Sequence, residues 1–299
     1  MIYTVTLNPA LDYVIQVDHF KAGQINRNKK EDIFYGGKGI NVSCILKELD
    51  IPSTALGFIA GFTGKALKDG LTNLGIHTRF IEVSKGMTRI NVKMKSDEET
   101  EINGLGPIIE SCDFSSLLEQ VKQLKQGDMI ILSGNIPKCM KSDAYEKIIE
   151  VLDPSVNLVV DAEKDLLMKI LKFHPLLIKP NNLELAQIFD VQIQNDKDVI
   201  FYAKKLQELG ARNVLISMAG NGAILVDEKQ GIHKLGAAKG EVVNSVGAGD
   251  SMVAGFVAGM IQSNDYDYAL KLGTACGAAT AFHSGLATSI QIKEILKTL

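Results

Sequence analysis

The chain has 299 residues, enough for one large α/β domain or two smaller ones, and 46% hydrophobic with 22% charged residues is ordinary globular usage that argues against wholesale disorder. Net charge is −3, from 32 basic and 35 acidic residues, so no basic field recommends nucleic acid, and anionic ligands must be held by local features. Cys44, Cys112, Cys139 and Cys276 lie far apart without a C-x-x-C pair and the five histidines show no ligand spacing, which disfavours a disulfide framework or a zinc cluster and points to reduced intracellular thiols.

The N-terminus has no basic region followed by a cleavable apolar core. The longest apolar stretch, residues 252–261, is far short of the roughly 20 residues that cross a bilayer. A cytoplasmic protein without a membrane segment is expected. Residues 2–7 and 15–20 read as short strands, with Asn8-Pro9 punctuating between them. A helix is expected after Gly39, with Val42, Ile45, Leu46 and Leu49 on one face. Residues 88–94 and 100–105 read as a strand pair around the charged turn 96–99.

From residue 113 the pattern alternates. Helix-like 113–126 leads to strand 129–133, 142–152 to 157–161, 163–172 to 176–179, and 198–209 to 214–217. Unbroken apolar runs such as Met129-Ile130-Ile131-Leu132 suit strands covered on both faces. Alternating βα units imply a parallel, doubly wound sheet, and ligands then sit at the carboxyl ends of its strands. A weak hairpin (223–227 with 232–235) precedes three helices, at 248–262, 266–284 and 289–298. The second is dense in Gly and Ala, which permits close helix packing or the approach of a flat ligand.

Five segments near strand ends could carry chemistry. Gly247-Ala248-Gly249-Asp250 opens a helix, and a helix N-terminus with exposed N–H groups suits an anion. Asp250 there is either a general base beside that anion or an N-cap. Asn181 and Glu184, three apart at a helix start, either hold a hydrated Mg²⁺ or form a capping box. Gly36-Gly37-Lys38-Gly39-Ile40-Asn41 could bring amides to a sugar, or be a plain loop. It is not a P-loop, and no G-x-G-x-x-G occurs. Asp12, after Asn8-Pro9, either binds sugar hydroxyls or sits in a Pro-initiated turn. Residues 217–223 either receive nucleotide phosphates or make a tight connection.

Together, in this order and spacing, these segments resemble the ribokinase or PfkB-type carbohydrate kinases along essentially the whole chain. The resemblance implies a ribokinase-like three-layer α/β/α sandwich with a mostly parallel central sheet, as one kinase domain, and a small β-sheet lid from about residues 13–35 and 86–106. It implies Asp250 as catalytic base and the backbone of Gly247, Ala248 and Gly249 as anion hole. Asp12, Gly37, Lys38 and Asn41 would contact the sugar, with Ser133 placed among the substrate contacts. Lys179, Ser217, Gly220, Gly222 and Gly249 would face the nucleotide, and Asn181 and Glu184 would organise Mg²⁺ through water. The opening 4–12 and the stretch 88–93 are similar to members that act on phosphoketoses. In the implied lid Arg27, Arg89 and Lys93 would meet the substrate phosphate, since guanidinium grips phosphate bidentately; the alternative is a solvated strand face. The expected reaction is transfer from ATP to the C6 hydroxyl of D-fructose 1-phosphate. Tagatose 6-phosphate is the runner-up substrate, and a catalytically silent phosphosugar-binding protein the outside reading. The exposed edges of a β lid suggest a homodimer through the lid. Two departures stand out: Ala219 occupies a position where the family usually has glycine, and Asn244-Ser245-Val246 replaces the Asp-Thr-Thr run of members that use a monovalent cation.

Overall fold

The apolar runs after residue 113 form parallel strands, and four short strands from before it join them. The structure, a computed structural model, describes residues Met1–Leu299. In chain order the elements are β1 (Ile2–Thr6), β2 (Ala10–Gln16), β3 (Lys30–Gly36), α1 (Lys38–Glu48), β4 (Ser53–Ile59), α2 (Gly61–Asn73), β5 (His77–Thr78), β6 (Ile81–Glu82), β7 (Arg89–Lys95) and β8 (Glu99–Asn103). There follow α3 (Ser111–Val121), β9 (Met129–Ser133), α4 (Ala144–Glu150), β10 (Asn157–Asp161), α5 (Lys164–Ile170), β11 (Leu177–Ile178), α6 (Asn182–Phe189), α7 (Asp196–Glu208) and β12 (Asn213–Ser217). The chain closes with β13 (Ala223–Val226), β14 (Ile232–Leu235), α8 (Ala248–Ser263), α9 (Tyr266–Ala281) and α10 (Ser289–Thr298).

The main sheet runs β14-β13-β12-β11-β10-β9-β1-β4-β5, with β6 also paired to β4. Its pairs are parallel except for the β12-β13-β14 edge, which is antiparallel. Successive side chains of a strand point to opposite faces. Ile130, Leu132, Val160, Val214 and Ile216 therefore pack with α3 to α7 through Leu117, Tyr145, Leu167, Leu185 and Leu206. Ile131, Val159 and Leu215 pack with α1, α8, α9 and α10 through Ile45, Val253, Leu272 and Ile292. Burial on both faces explains the unbroken apolar runs, and each fully buried Leu or Ile contributes about 1.5–3 kcal/mol. The Gly- and Ala-rich composition of α9 serves helix packing: a Cβ on Gly259 of α8 would lie 2.5 Å from the Ala269 Cα. No helix is long and apolar enough to cross a membrane.

A second sheet, ordered β3-β2-β7-β8, stands beside the first. Here β2 and β7 are parallel, while β3 and β8 pair antiparallel on the outside. Leu11, Tyr35 and Ile90 point to one face and pack against Leu67 and Leu71 of α2. Asp12, Asn91 and Lys93 share the opposite face. The chain passes between the sheets four times, at residues 8–10, 36–38, 86–89 and 104–107.

The expected strand at 15–20 is displaced. The strand is Ala10–Gln16, and Asp12 lies inside it, neither in a turn nor at a strand's carboxyl end. Asp12 points into a polar cleft, so its strand lacks the apolar run that was sought. β3 is a mostly exposed strand with Lys30, Glu31 and Asp32, and α2 carries Gly61, Gly64 and Gly70, which are poor helix formers. Neither gave a sequence signal.

A candidate active site at the strand ends

Helix α8 begins at Ala248, where the sequence placed its start. Gly247 is its N-cap, at φ +81° and ψ −6°, a left-handed conformation that glycine adopts without Cβ cost. Asp250 is therefore the third helical residue, and it does not cap: no side-chain cap hydrogen bond forms. Ala248 N–H donates to the Ser245 carbonyl at 3.2 Å, so this amide is not part of a free anion hole. The N–H groups of Gly247, Gly249 and Asp250 donate to no backbone carbonyl and remain directed outward at the positive end of the helix.

Asp250 is buried, and Asn41 Nδ2 donates to its Oδ2 at 2.8 Å. Asn41 lies one turn beyond Lys38, the first residue of α1, so both project from the same side of that helix start. Lys38 Nζ lies 3.5 Å from Asp161 Oδ2, and Lys179 Nζ lies 3.4 Å from Asp161 Oδ1. Lys179 and Asp161 are both buried. Gly249 lacks the side chain that would crowd Lys179, since a Cβ there would stand 3.1 Å from Nζ. Burial, then the charge of Asp161, raises the Asp250 carboxyl to about 7 against the opposing pull of Asn41, Lys38 and Lys179. Burial also acts to raise Asp161, but Lys179 and Lys38 outweigh it and hold Asp161 below the ordinary carboxylate range. Lys38 is held above its ordinary value: Asp161, Asp250 and Glu184 outweigh the effect of burial. Two carboxylates of unlike proton affinity thus share one site, an arrangement that separates a base from a fixed anion.

The second sheet supplies the facing wall. Asn91 Nδ2 donates to Asp12 Oδ1 at 2.8 Å, and Lys93 Nζ pairs with Asp12 Oδ2 at 3.0 Å. Gly36 leaves room for this carboxylate, because a Cβ there would meet it at 2.8 Å. Arg89 is half-buried at the base of β7, where its Nε donates to the Asn8 carbonyl at 3.1 Å. Burial lowers its guanidinium and Asp12 partly restores it. Between the walls lies a cleft of about 450 Å³ lined by Asp12, Phe34, Asn41, Lys93, Val246 and Gly285. Arg27 lies on the exposed loop between β2 and β3, outside the residues that line the cleft.

Asn181 and Glu184 form the capping box in full. Asn181 Oδ1 accepts from Glu184 N–H and Glu184 Oε2 accepts from Asn181 N–H, each at 2.8 Å. Glu184 Oε1 keeps no protein partner, so the pair fits a hydrated cation through one carboxylate oxygen, which suits Mg²⁺. The Ser133 hydroxyl is buried without a hydrogen-bond partner, beside Asp161 in the β9–β10 register. Ser217 ends β12, and a single 3₁₀ turn, Ala219–Asn221, leads to Gly222. Ala219 adopts φ +47°, the conformation for which glycine would be the natural choice.

Three residues of this arrangement escape the motif reading: Asp161, Asn91 and Asn8. Asp161 closes a strand whose span was legible, and the rule that ligand groups follow parallel strands pointed to it. Asn91 and Asn8 lie in stretches that carry the resemblance but were given no role, because their partners Asp12, Arg89 and Leu105 meet them only through strand pairing and chain crossings.

The profile of the pfkB family carbohydrate kinases matches residues 5–293. The chain is 45% identical over 297 residues to a 1-phosphofructokinase of Bacillus subtilis, covering 99% of this chain and 97% of the relative. It is 38% identical over 288 residues to a D-tagatose-1-phosphate kinase of Bacillus licheniformis, covering 96% and 94%. Among solved structures, phosphofructokinase-2 from Escherichia coli in complex with substrates and products superposes with a TM-score of 0.92 at 25% identity, over 99% of this chain and 98% of that one.

Proposed function

This chain belongs to the pfkB family of carbohydrate kinases, and from that premise we propose that it transfers a phosphoryl group from ATP to the C6 hydroxyl of D-fructose 1-phosphate, giving fructose 1,6-bisphosphate and ADP. The observation that carries the reading is the buried Asp250 at the N-terminus of α8, beside three free N–H groups and two ammonium groups. Phosphoryl transfer depends chiefly on positioning and on charge stabilisation, and these groups supply both. Asp250 accepts the hydroxyl proton as the C6 oxygen bonds to phosphorus and the bond from phosphorus to the ADP oxygen breaks. The amides of Gly247, Gly249 and Asp250 hold the charge on the transferring group. A base whose proton affinity lies near neutrality is matched to this task.

On the sugar side we assign Asp12, Lys38, Asn41 and the backbone of Gly37, with the Ser133 hydroxyl as a further donor. Arg89 and Lys93 meet the 1-phosphate, and Arg27 is assigned as a cation brought from its loop. On the nucleotide side we assign Lys179, Ser217, Gly220 and Gly222. Glu184, with Asn181 fixing its rotamer, holds hydrated Mg²⁺, which when bound neutralises nucleotide phosphate charge. The second sheet acts as a lid that excludes water from the transfer. The exposed edges β3 and β8 suit pairing of two copies through that lid. We place the enzyme in the cytoplasm.

The decisive experiment is a coupled ADP-release assay across fructose 1-phosphate, fructose 6-phosphate, tagatose 1-phosphate, tagatose 6-phosphate and the free ketoses. The highest kcat/KM is expected on fructose 1-phosphate. The D-tagatose-1-phosphate kinase relative makes tagatose phosphates the second reading, and a higher kcat/KM on either of them would replace the first. No ADP release on any ketose phosphate would leave only a silent binding protein.

A further inference from the structure

Asp161 is the one buried carboxylate of the site without an assigned role, and it is tied to two groups that the proposed reaction places on opposite substrates. Its Oδ2 faces Lys38 Nζ at 3.5 Å and its Oδ1 faces Lys179 Nζ at 3.4 Å. Lys38 starts α1 and approaches the cleft from the sugar side, while Lys179 follows β11 and lies against Gly249 of the anion-binding turn. Each lysine carries a flexible four-carbon stem that is costly to hold in one rotamer. Without a fixed anion between them, the half-exposed ammonium of Lys38 and the buried one of Lys179 would repel and turn apart. The backbone of Asp161 is fixed, because it closes β10 in register with Ser133 of β9 and its carbonyl accepts from Gly134 N–H at 3.2 Å, and the short side chain it carries is buried.

We propose that Asp161 is a positioning residue, whose two oxygens hold the sugar-side ammonium of Lys38 and the nucleotide-side ammonium of Lys179 at a fixed spacing around the transferring phosphoryl group. The ion pairs also shape the surroundings of the base. Asp250 is faced by Asp161 from β10, by Lys38 and Asn41 from α1 and by Lys179 after β11, with Glu184 of α6 acting on it through Lys38. Removing the Asp161 charge leaves both lysines facing Asp250 alone, and the base then loses its proton at lower pH.

The inference rests on the kinase reading for its kinetic consequence but not for its structural one, so two measurements separate them. In Asp161→Asn, a pulse of amine-acylating reagent followed by peptide mass spectrometry is expected to show Lys38 and Lys179 modified several-fold faster than in wild type, with other lysines unchanged. In the same variant kcat is expected to fall about 100-fold, as misplaced positioning groups typically cause, and the acid limb of kcat/KM to move to lower pH. Asp161→Glu keeps the charge while displacing the ammonium groups. It is expected to restore the acid limb but not kcat, and it carries the test if the asparagine variant does not fold. Unchanged acylation of either lysine, an acid limb that stays in place in Asp161→Asn, or full recovery of that variant by excess Mg²⁺ overturns the proposal. A wild type that releases no ADP overturns the kinase reading alone, and the acylation pattern still decides the clamp.

Discussion

Replacing Asp250 by Asn should separate what the residue does for chemistry from what it costs the fold. The asparagine matches the neutral carboxyl in shape, and its Oδ1 can accept the Asn41 Nδ2–H that now reaches Asp250 Oδ2 at 2.8 Å. The variant cannot take a proton from the sugar hydroxyl. A positioned base contributes roughly 10²–10⁴-fold, so kcat should fall by that factor while sugar binding persists. The effect on stability has the opposite sign. Asp250 titrates near about 7 in the fold and at 3.8 when free, so the unfolded chain releases this proton first. Wild-type stability is therefore lost as pH rises from about 4 to about 7, by at most about 4 kcal/mol at 1.36 kcal/mol per pH unit. Water entering the cleft relieves part of that cost. The variant escapes it and should be more stable than wild type by about 1–3 kcal/mol at pH 8, with the gap shrinking by more than half at pH 5. Urea unfolding at both pH values and steady-state ADP release on the same preparations test the pair. Turnover within tenfold of wild type would refute the base, and a variant less stable at pH 8 would refute the electrostatic reasoning.

Ala219→Gly should stabilise the protein. Left-handed backbone at φ +47° costs an alanine about 1–2 kcal/mol, and the extra unfolded-state freedom of glycine returns about 0.5–1, leaving a net gain of about 0.5–1 kcal/mol by urea unfolding. Arg89→Met should raise KM for the ketose phosphate about 10–100-fold, the worth of a charge-assisted hydrogen bond, without changing KM for ATP; a change on the nucleotide side instead would relocate Arg89. His233 lies between Asp267, 2.6 Å from Nδ1, and Asp227, 2.9 Å from Nε2, and these carboxylates outweigh burial to raise its pKa above 6.5. Its stabilisation is complete below 6.5 and is lost as pH rises through the raised value. His233→Gln should thus cost about 1 kcal/mol at pH 6 and progressively less toward pH 9, and a cost independent of pH would contradict a charged imidazolium.

Legibility in the sequence followed burial. Strand 157–161 was read to the residue and 129–133 likewise, because both faces of those strands are covered and the apolar run ends where the cover ends. The small sheet was harder to read, since one of its faces is polar and its outer strands are exposed; Asp12 in the middle of β2 looked like a turn residue. At the site, Asp250, Lys38 and Asn41 were marked by glycines that precede helix starts. The pairing that gives them meaning was not: Asp161 and Lys179 come together only because β10 and β11 are neighbours in the sheet. Asn181 and Glu184 show that one local pattern satisfies both readings, for the capping box consumes two donors and two acceptors and leaves Glu184 Oε1 free.

The four chain crossings between the sheets have an evolutionary consequence. Asp12, Arg89 and Lys93 belong to one sheet, and Asp250, Asp161, Lys38 and Lys179 to elements of the other layer stack, with no strand ladder running between them. Substitutions or length changes at residues 8–10, 86–88 and 104–107 would therefore re-aim the groups proposed to meet the phosphosugar while Asp250, Asp161, Lys38 and Lys179 stay where the large sheet and its helices put them. On the proposed assignment, the part of substrate choice that rests on the small sheet can drift without degrading the reaction chemistry.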